Sequence, residues 1–313
     1  GSPRTFTMDV INIGNDDLEI DDISFYDDDG NTPFSVDISV VDMFLYDTVA
    51  VTVTFDPLVN GPYIDSLKIS SNDPDEAIYN IVFNGIGSEF IIFYVPDEIS
   101  SIQTALDSAL AGDTIHVAPG TYSEILTFPD NDIVLRGSGP DSTILSGGGT
   151  STVITIDGGQ TNATIISGLT ITDGSGANGG GMLIDDGSAP VLHDILFYDN
   201  NAGHGAGVYV NGFSNPTLNR TTFVSNDASI GGAGVSVAGG SSVAINNSIL
   251  FANNGPAIDV TNGSATATYS IVDGGYAGTG NLDTIPLFVN PGSGDFHLQW
   301  ASPAFDAGDP ATD

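Results

Sequence analysis

NGGGMLI at residues 178–184, GAGVYV at 205–210 and GGAGVSV at 231–237 decide how this chain folds. Met182, Val208 and Val235 hold equivalent places, 26 and then 27 residues apart, and each opens an apolar-x-apolar triplet. Ile258/Val260 is a fourth copy after 23 residues. A second series precedes each triplet: Ile171, Phe197, Phe223, Phe251. A third follows it: Leu192, Leu218, Ile245, Tyr269. Three short apolar triplets per period, joined by Gly, Asn and Asp, are a repeat signature.

Alternation with period 2 marks short strands with one buried face. Three such faces per turn close around a common interior, and stacked turns pair every strand with the coils on either side at about 4.8 Å. The expected fold class is therefore all-β, a right-handed parallel β-helix. Gly181, Gly207 and Gly234 fit corners that need positive φ or close backbone approach. Asn200, Asn226 and Asn254, in FYDN, FVSN and FANN, are expected to form an inward polar ladder. The FxxN and GGA-like strings resemble the repeats of chlamydial polymorphic outer-membrane proteins, which implies a surface β-helix.

The 313 residues hold 4 Lys and Arg against 40 Asp and Glu, a net charge of -36. That excludes a nucleic-acid surface, which needs a basic footprint, and disfavours anionic membranes and polyanions. No cysteine is present, so there is neither a disulfide framework nor thiolate chemistry. No signal peptide or membrane span stands out, so membrane insertion is not expected. Forty glycines beside 40% apolar residues argue for turn-rich β structure.

Residues 1–88 read as a β-sandwich, from the runs Phe6 to Ile13, Asp22 to Tyr26, Val49 to Phe55, Ser66 to Ser70 and Ile78 to Phe83. NIGNDDLEI, TFDPLVNGPYIDSLKISSNDP and FNGIG resemble the immunoglobulin-like modules of the HYDIN and choice-of-anchor D type. In that family a first strand precedes the position of Phe6, so the resemblance implies either a segment cut short before Phe6 or an open sheet edge completed by a neighbouring molecule, with self-association through it. Residues 89–97 are expected as a linker. Residues 98–313 are expected as the β-helix, with a capping helix over Ser100 to Leu110 stopped by Gly112. SIQTALDSALAGDTIHVAPGTYSE is similar to the N-terminal caps of pectate-lyase-like β-helices. PLFVNPGSGDFHLQWASPAFDAG resembles the choice-of-anchor Q module of secreted bacterial β-helices, which implies an extracellular or cell-surface setting.

Lyases on this fold use a Lys or Arg base, and Arg220 is the candidate. The competing reading is an ion-paired surface residue, because neighbouring coils place Asp194 and Asn247 at its position. Inverting hydrolases need two carboxylates about 6.5–9.5 Å apart. Asp185-Asp186 and His204 in GHG resemble the DD and GHG strings of polygalacturonases, although the repeat alone explains those glycines. His116, His193 and His297 read as structural. Calcium wants six to eight oxygens. Asp27, Asp29 and Asn31, and Asp306 with Asp309 in the tail, are the oxygen-rich candidates against a reading as solvated turns. The function expected is a secreted or cell-surface structural or adhesive protein, with polysaccharide or cell-surface components as partners. The alternative is a polysaccharide lyase or glycoside hydrolase.

Overall fold

The computed structural model describes residues 4–26, 33–57, 61–87 and 90–311, which fall into two units, 1–90 and 91–313. Asp27, Asp29 and Asn31 lie outside the described residues.

The first unit is built of antiparallel strands: β1 (Arg4–Ile11), β2 (Leu18–Phe25), β3 (Phe34–Val36), β4 (Val41–Met43), β5 (Thr48–Phe55), β6 (Gly61–Ser71) and β7 (Ile78–Gly87). They form two sheets, ordered β1-β5-β3 and β4-β2-β6-β7. Alternating side chains of both sheets meet in one core. Val51, Val53 and Phe34 share it with Ile23, Leu67 and Ile69, and the Phe25 and Phe34 rings stack at 5.3 Å. β1 and β7 each end a sheet, and β1 leaves Phe6 59% exposed.

The second unit is a parallel solenoid whose three main faces are named here by one core residue each. On the Met182 face, Ile154, Met182, Val208, Val235 and Ile258 stack in a single column, as expected. The Leu192 face has eight strands, running from Ile92–Val95 to Ser264–Thr268. Ile92–Val95, read from sequence as linker, pairs in parallel with Thr114–Val117 and so belongs to the solenoid. The Phe197 face stacks Ile171, Phe197, Phe223 and Leu250.

Two series slip at the fourth coil. Leu250, not Phe251, continues the Phe197 column, and Ala267, not Tyr269, continues the Leu192 column. The ladder follows the same register. Asn200 Nδ2 donates to Asn226 Oδ1 at 3.0 Å and Asn226 Nδ2 to Asn253 Oδ1 at 2.9 Å, whereas Asn254 is exposed and donates to Asp227. The string FANN repeats the motif one residue late. The backbone keeps time instead with its left-handed residues, Asp173, Asp199, Ser225 and Ala252, at φ 54–56°.

Gly181, Gly207 and Gly234 are present for close approach, not for positive φ. A Cβ on Gly207 would stand 2.5 Å from the Phe223 ring and 2.6 Å from the Gly234 carbonyl. This lets Phe197 and Phe223 stack face to face, 4.7 Å apart and 4° from parallel.

Each end of the solenoid has a non-strand segment packed on the core. The helix α1 (Ile102–Ser108) is shorter than expected and places Ile102, Ala105 and Leu106 in the solenoid core. Ser101 caps it, and the Glu124 carboxylate accepts from the Ile102 and Gln103 N–H groups at 3.1 Å each. Its end is Ala109 in extended conformation, and Gly112 (φ +91°) serves the turn beyond. At the other end Tyr276 packs on the core and donates to the Ala265 carbonyl, while Asn281 donates to Ala267.

Candidate functional site

Asp194, Arg220, Asn247 and Tyr269 occupy equivalent bends between the Leu192 and Phe197 faces, all left-handed at φ 49–55°. Parallel coils bring such positions into line. Arg220 Nε donates to Asp194 Oδ1 at 2.7 Å and a terminal nitrogen to Oδ2 at 2.9 Å, a bidentate pair between adjacent coils. His193 Nδ1 lies 2.9 Å from the same carboxylate. The Arg220 hydrogen bond, with His193 adding to it, holds the Asp194 carboxyl below the usual carboxylate range.

Beside this pair lies a groove of about 420 Å³. Its floor includes Leu196 and Thr222, in register on the Phe197 face. Its far side is the C-terminal hairpin of Phe288–Asn290 and Asp295–Leu298. Phe296 rests on Tyr198 at 5.2 Å and meets Phe288 edge-on at 5.3 Å. His297 binds Asp295 through Nδ1 at 2.8 Å and Asp141 through Nε2 at 3.1 Å. Both acids raise its pKa, Asp295 most.

Three distant segments thus meet: the turn at Asp141, the bends at Asp194 and Arg220, and the tail at Phe296 and His297. An aromatic ring beside paired, oriented charges can hold a polar ligand with an apolar face. Of the catalytic and metal candidates read from sequence, only Arg220 is here, and it is ion-paired. His297, read as structural, is part of the groove. Asp141 and Phe296 carried no signal in any repeat.

Asp185, Asp186 and His204 lie elsewhere, near Tyr209 on the Met182 face. The Asp185 carboxylate accepts from Asn211 Nδ2 at 3.1 and 3.2 Å and from the Asp186 N–H at 2.8 Å. Asp186 is exposed in a left-handed turn at φ 53°. The His204 ring is 6.2 Å from that of Tyr209, whose hydroxyl is pushed up by burial and by Asp185. Asp185 is thereby held as a hydrogen-bond acceptor for its own turn and for the next coil.

Asp306 is exposed, and Asp309 accepts from the Ala311 N–H. Among the described residues no three His, Cys, Asp or Glu gather as metal ligands. Among them, too, no helix is long and apolar enough to cross a membrane.

Residues 121–277, half of the chain, match the family described as the right-handed β-helix region. Among curated protein sequences nothing matches. Among solved structures, pectin methylesterase PemA from Erwinia chrysanthemi is similar at 12% identity, over 60% of this chain and 71% of that one, with a TM-score of 0.37. The catalytic domain of a GH87 α-1,3-glucanase in complex with nigerose is similar at 14% identity, over 88% of this chain and 58% of that one, with a TM-score of 0.37. Values this low carry no argument about activity or residues. The family match and the stacked columns agree: the chain belongs to the right-handed β-helix family.

Proposed function

We propose that the protein is a secreted or cell-surface bacterial protein of structural or adhesive kind, whose solenoid binds carbohydrate in the groove beneath the C-terminal hairpin. The observation that carries this reading is the groove itself. Phe296 offers a ring on which a sugar's C–H face can stack, and Asp194, Arg220, Asp141 and His297 border it as oriented hydrogen-bonding groups. The choice-of-anchor Q-like tail, which supplies the hairpin, supports the extracellular setting. The first unit then serves as an immunoglobulin-like linking module.

A lyase or hydrolase is the alternative, favoured by the two carboxylates on the groove. Each is already partnered, Asp141 with His297 and Asp194 with Arg220. A lyase base must shed its proton, and Arg220 is tied to a carboxylate that favours its charged form. This suits holding a ligand more than moving a proton.

The test is calorimetric titration of the full chain with an oligosaccharide panel, with chromatography of the products. Binding without cleavage, weakened about tenfold or more by Phe296→Ala, is the expected result. Cleavage would move the reading to the enzyme, and binding unaffected by Phe296→Ala would remove the groove.

A further inference from the structure

Ser167 and His193 stand in register on neighbouring coils of the Leu192 face, both directed outward, and Arg136 is in register with Ser167 on its other side. Ser167 is 4% exposed, set between those two longer side chains. Its hydroxyl makes no hydrogen bond among the described residues, yet it is not sealed from solvent. The chain turns directly after it, because Gly168 is left-handed at φ +68°. Arg136 is exposed and makes no ion pair among the described residues.

His193 is oriented from its far side. Its Nδ1 lies 2.9 Å from Asp194 Oδ2. A carboxylate only accepts, so the ring hydrogen sits on Nδ1 and Nε2 is left as the basic nitrogen. Asp194 is fixed in turn, since Arg220 holds both its oxygens, at 2.7 and 2.9 Å. The same contacts keep Asp194 ionised.

We infer that Ser167, His193 and Asp194 are the nucleophile, base and orienting acid of a site that hydrolyses an uncharged acyl ester. Such a constellation is recognised by geometry and roles, not by sequence order. No hydrogen bond joins Ser167 to His193 in the free protein; such pairs are often loose until substrate binds, and these two rise from coils about 4.8 Å apart. Ser167 Oγ attacks the ester carbonyl and its proton passes to His193 Nε2. The tetrahedral intermediate collapses, the alcohol leaves with that proton, and the acyl group stays on Oγ. Water then gives a proton to Nε2 and its oxygen attacks the acyl carbon. The acid is released and the proton returns to Oγ. Arg136, beside the hydroxyl, supplies positive charge for the oxyanion. Asp194 and Arg220 are positioning residues. The net charge of -36 disfavours anionic esters, which leaves an uncharged one as the substrate class. The inference does not depend on carbohydrate binding: Asp194 and Arg220 also border the groove, but Ser167, His193 and Arg136 do not.

The experiment treats the full chain with a fluorophosphonate probe, locates the adduct by peptide mass spectrometry, and follows turnover of para-nitrophenyl acetate. An adduct on Ser167 is expected, together with acetate turnover that Ser167→Ala abolishes. His193→Gln should slow labelling about a hundredfold or more, and Arg136→Gln about tenfold or more. Asp194→Asn should also slow it and, in imidazole nitrogen NMR, shift the His193 hydrogen off Nδ1. Circular dichroism of each variant should match the parent; a variant that does not is replaced by Ser167→Cys, which keeps the size of the side chain and should retain an adduct with a thiol-reactive ester. An adduct on other serines only, equal labelling rates in the parent and His193→Gln, or labelling of Ser167 without acetate turnover would overturn the inference.

Discussion

Asn226 is the middle rung of the buried ladder, and its removal is the sharpest test of the coil register. Its Nδ2 donates to the Phe197 carbonyl and to Asn253 Oδ1, each at 2.9 Å. Its Oδ1 accepts from the Asn200 N–H at 3.2 Å and from Asn200 Nδ2 at 3.0 Å. Asn226→Ala deletes all four. Some partners keep others: Asn200 Nδ2 still reaches the Ile171 carbonyl, and Asn253 Oδ1 still accepts from the residue 226 N–H. The buried Asn200 N–H loses its acceptor. At about 1 kcal/mol for each of the other three bonds and 1–3 for the stranded Asn200 N–H, the loss should be about 4–6 kcal/mol. For a unit of this size that lowers Tm by roughly 8–24 °C. Asn226→Asp keeps the acceptor, loses both donors and buries a charge, so it should cost at least as much. Asn254→Ala, one residue beyond the next rung and exposed, should stay within about 0.5 kcal/mol. Urea titration followed by far-ultraviolet circular dichroism measures all three. A loss below about 1 kcal/mol for Asn226→Ala, or an equal loss for Asn254→Ala, would refute the register.

Other outcomes follow from the same contacts. His297 has a raised pKa, so its contribution to hairpin docking is complete below the usual imidazole value of about 6.5 and is lost as pH rises through the raised one. Nuclear magnetic resonance should show its titration midpoint above that value, and Asp295→Asn and Asp141→Asn should each lower it; an unmoved midpoint would sever the hairpin from these acids. Calcium at matched ionic strength is expected to raise Tm through Asp27, Asp29 and Asn31 or through Asp306 and Asp309, and equal midpoints with calcium and with chelator would remove both sites. The edge strand β1, with Phe6 exposed, is expected to support self-association, seen in light scattering as a mass that rises with concentration; a constant monomer mass would count against it.

The Met182 column was legible because its apolar triplets alternate strictly and those at Met182, Val208 and Val235 each follow a glycine whose Cβ would clash. The slip at the fourth coil has a physical source. Apolar residues stand at both Leu250 and Phe251, and Asn at both Asn253 and Asn254, so the string alone permits two registers. The backbone chooses the one that puts Ala252 in the left-handed turn. Ile92–Val95 was missed because an edge strand of four residues has no periodicity to set it apart from a linker. Arg220 was legible as an ion-paired bend residue, since Asp194 precedes it by one period. The groove was not, because Asp141, Arg220 and His297 meet only when the non-repeating tail folds back on the solenoid.

The groove exists only if the coils stack in this register, and the absence of cysteine makes that directly measurable. Thr127, Thr155, Leu183, Tyr209, Ser236 and Asp259 follow one another outward on the Met182 face. Spin labels on introduced cysteines at 155 and 259 stand four coils apart, and at 127 and 259 five. Electron–electron resonance should give separations near 19 and 24 Å, growing by about 4.8 Å per coil. Separations that do not grow with coil number, or a pair 127/259 no farther apart than 155/259, would contradict the solenoid and every site placed on it.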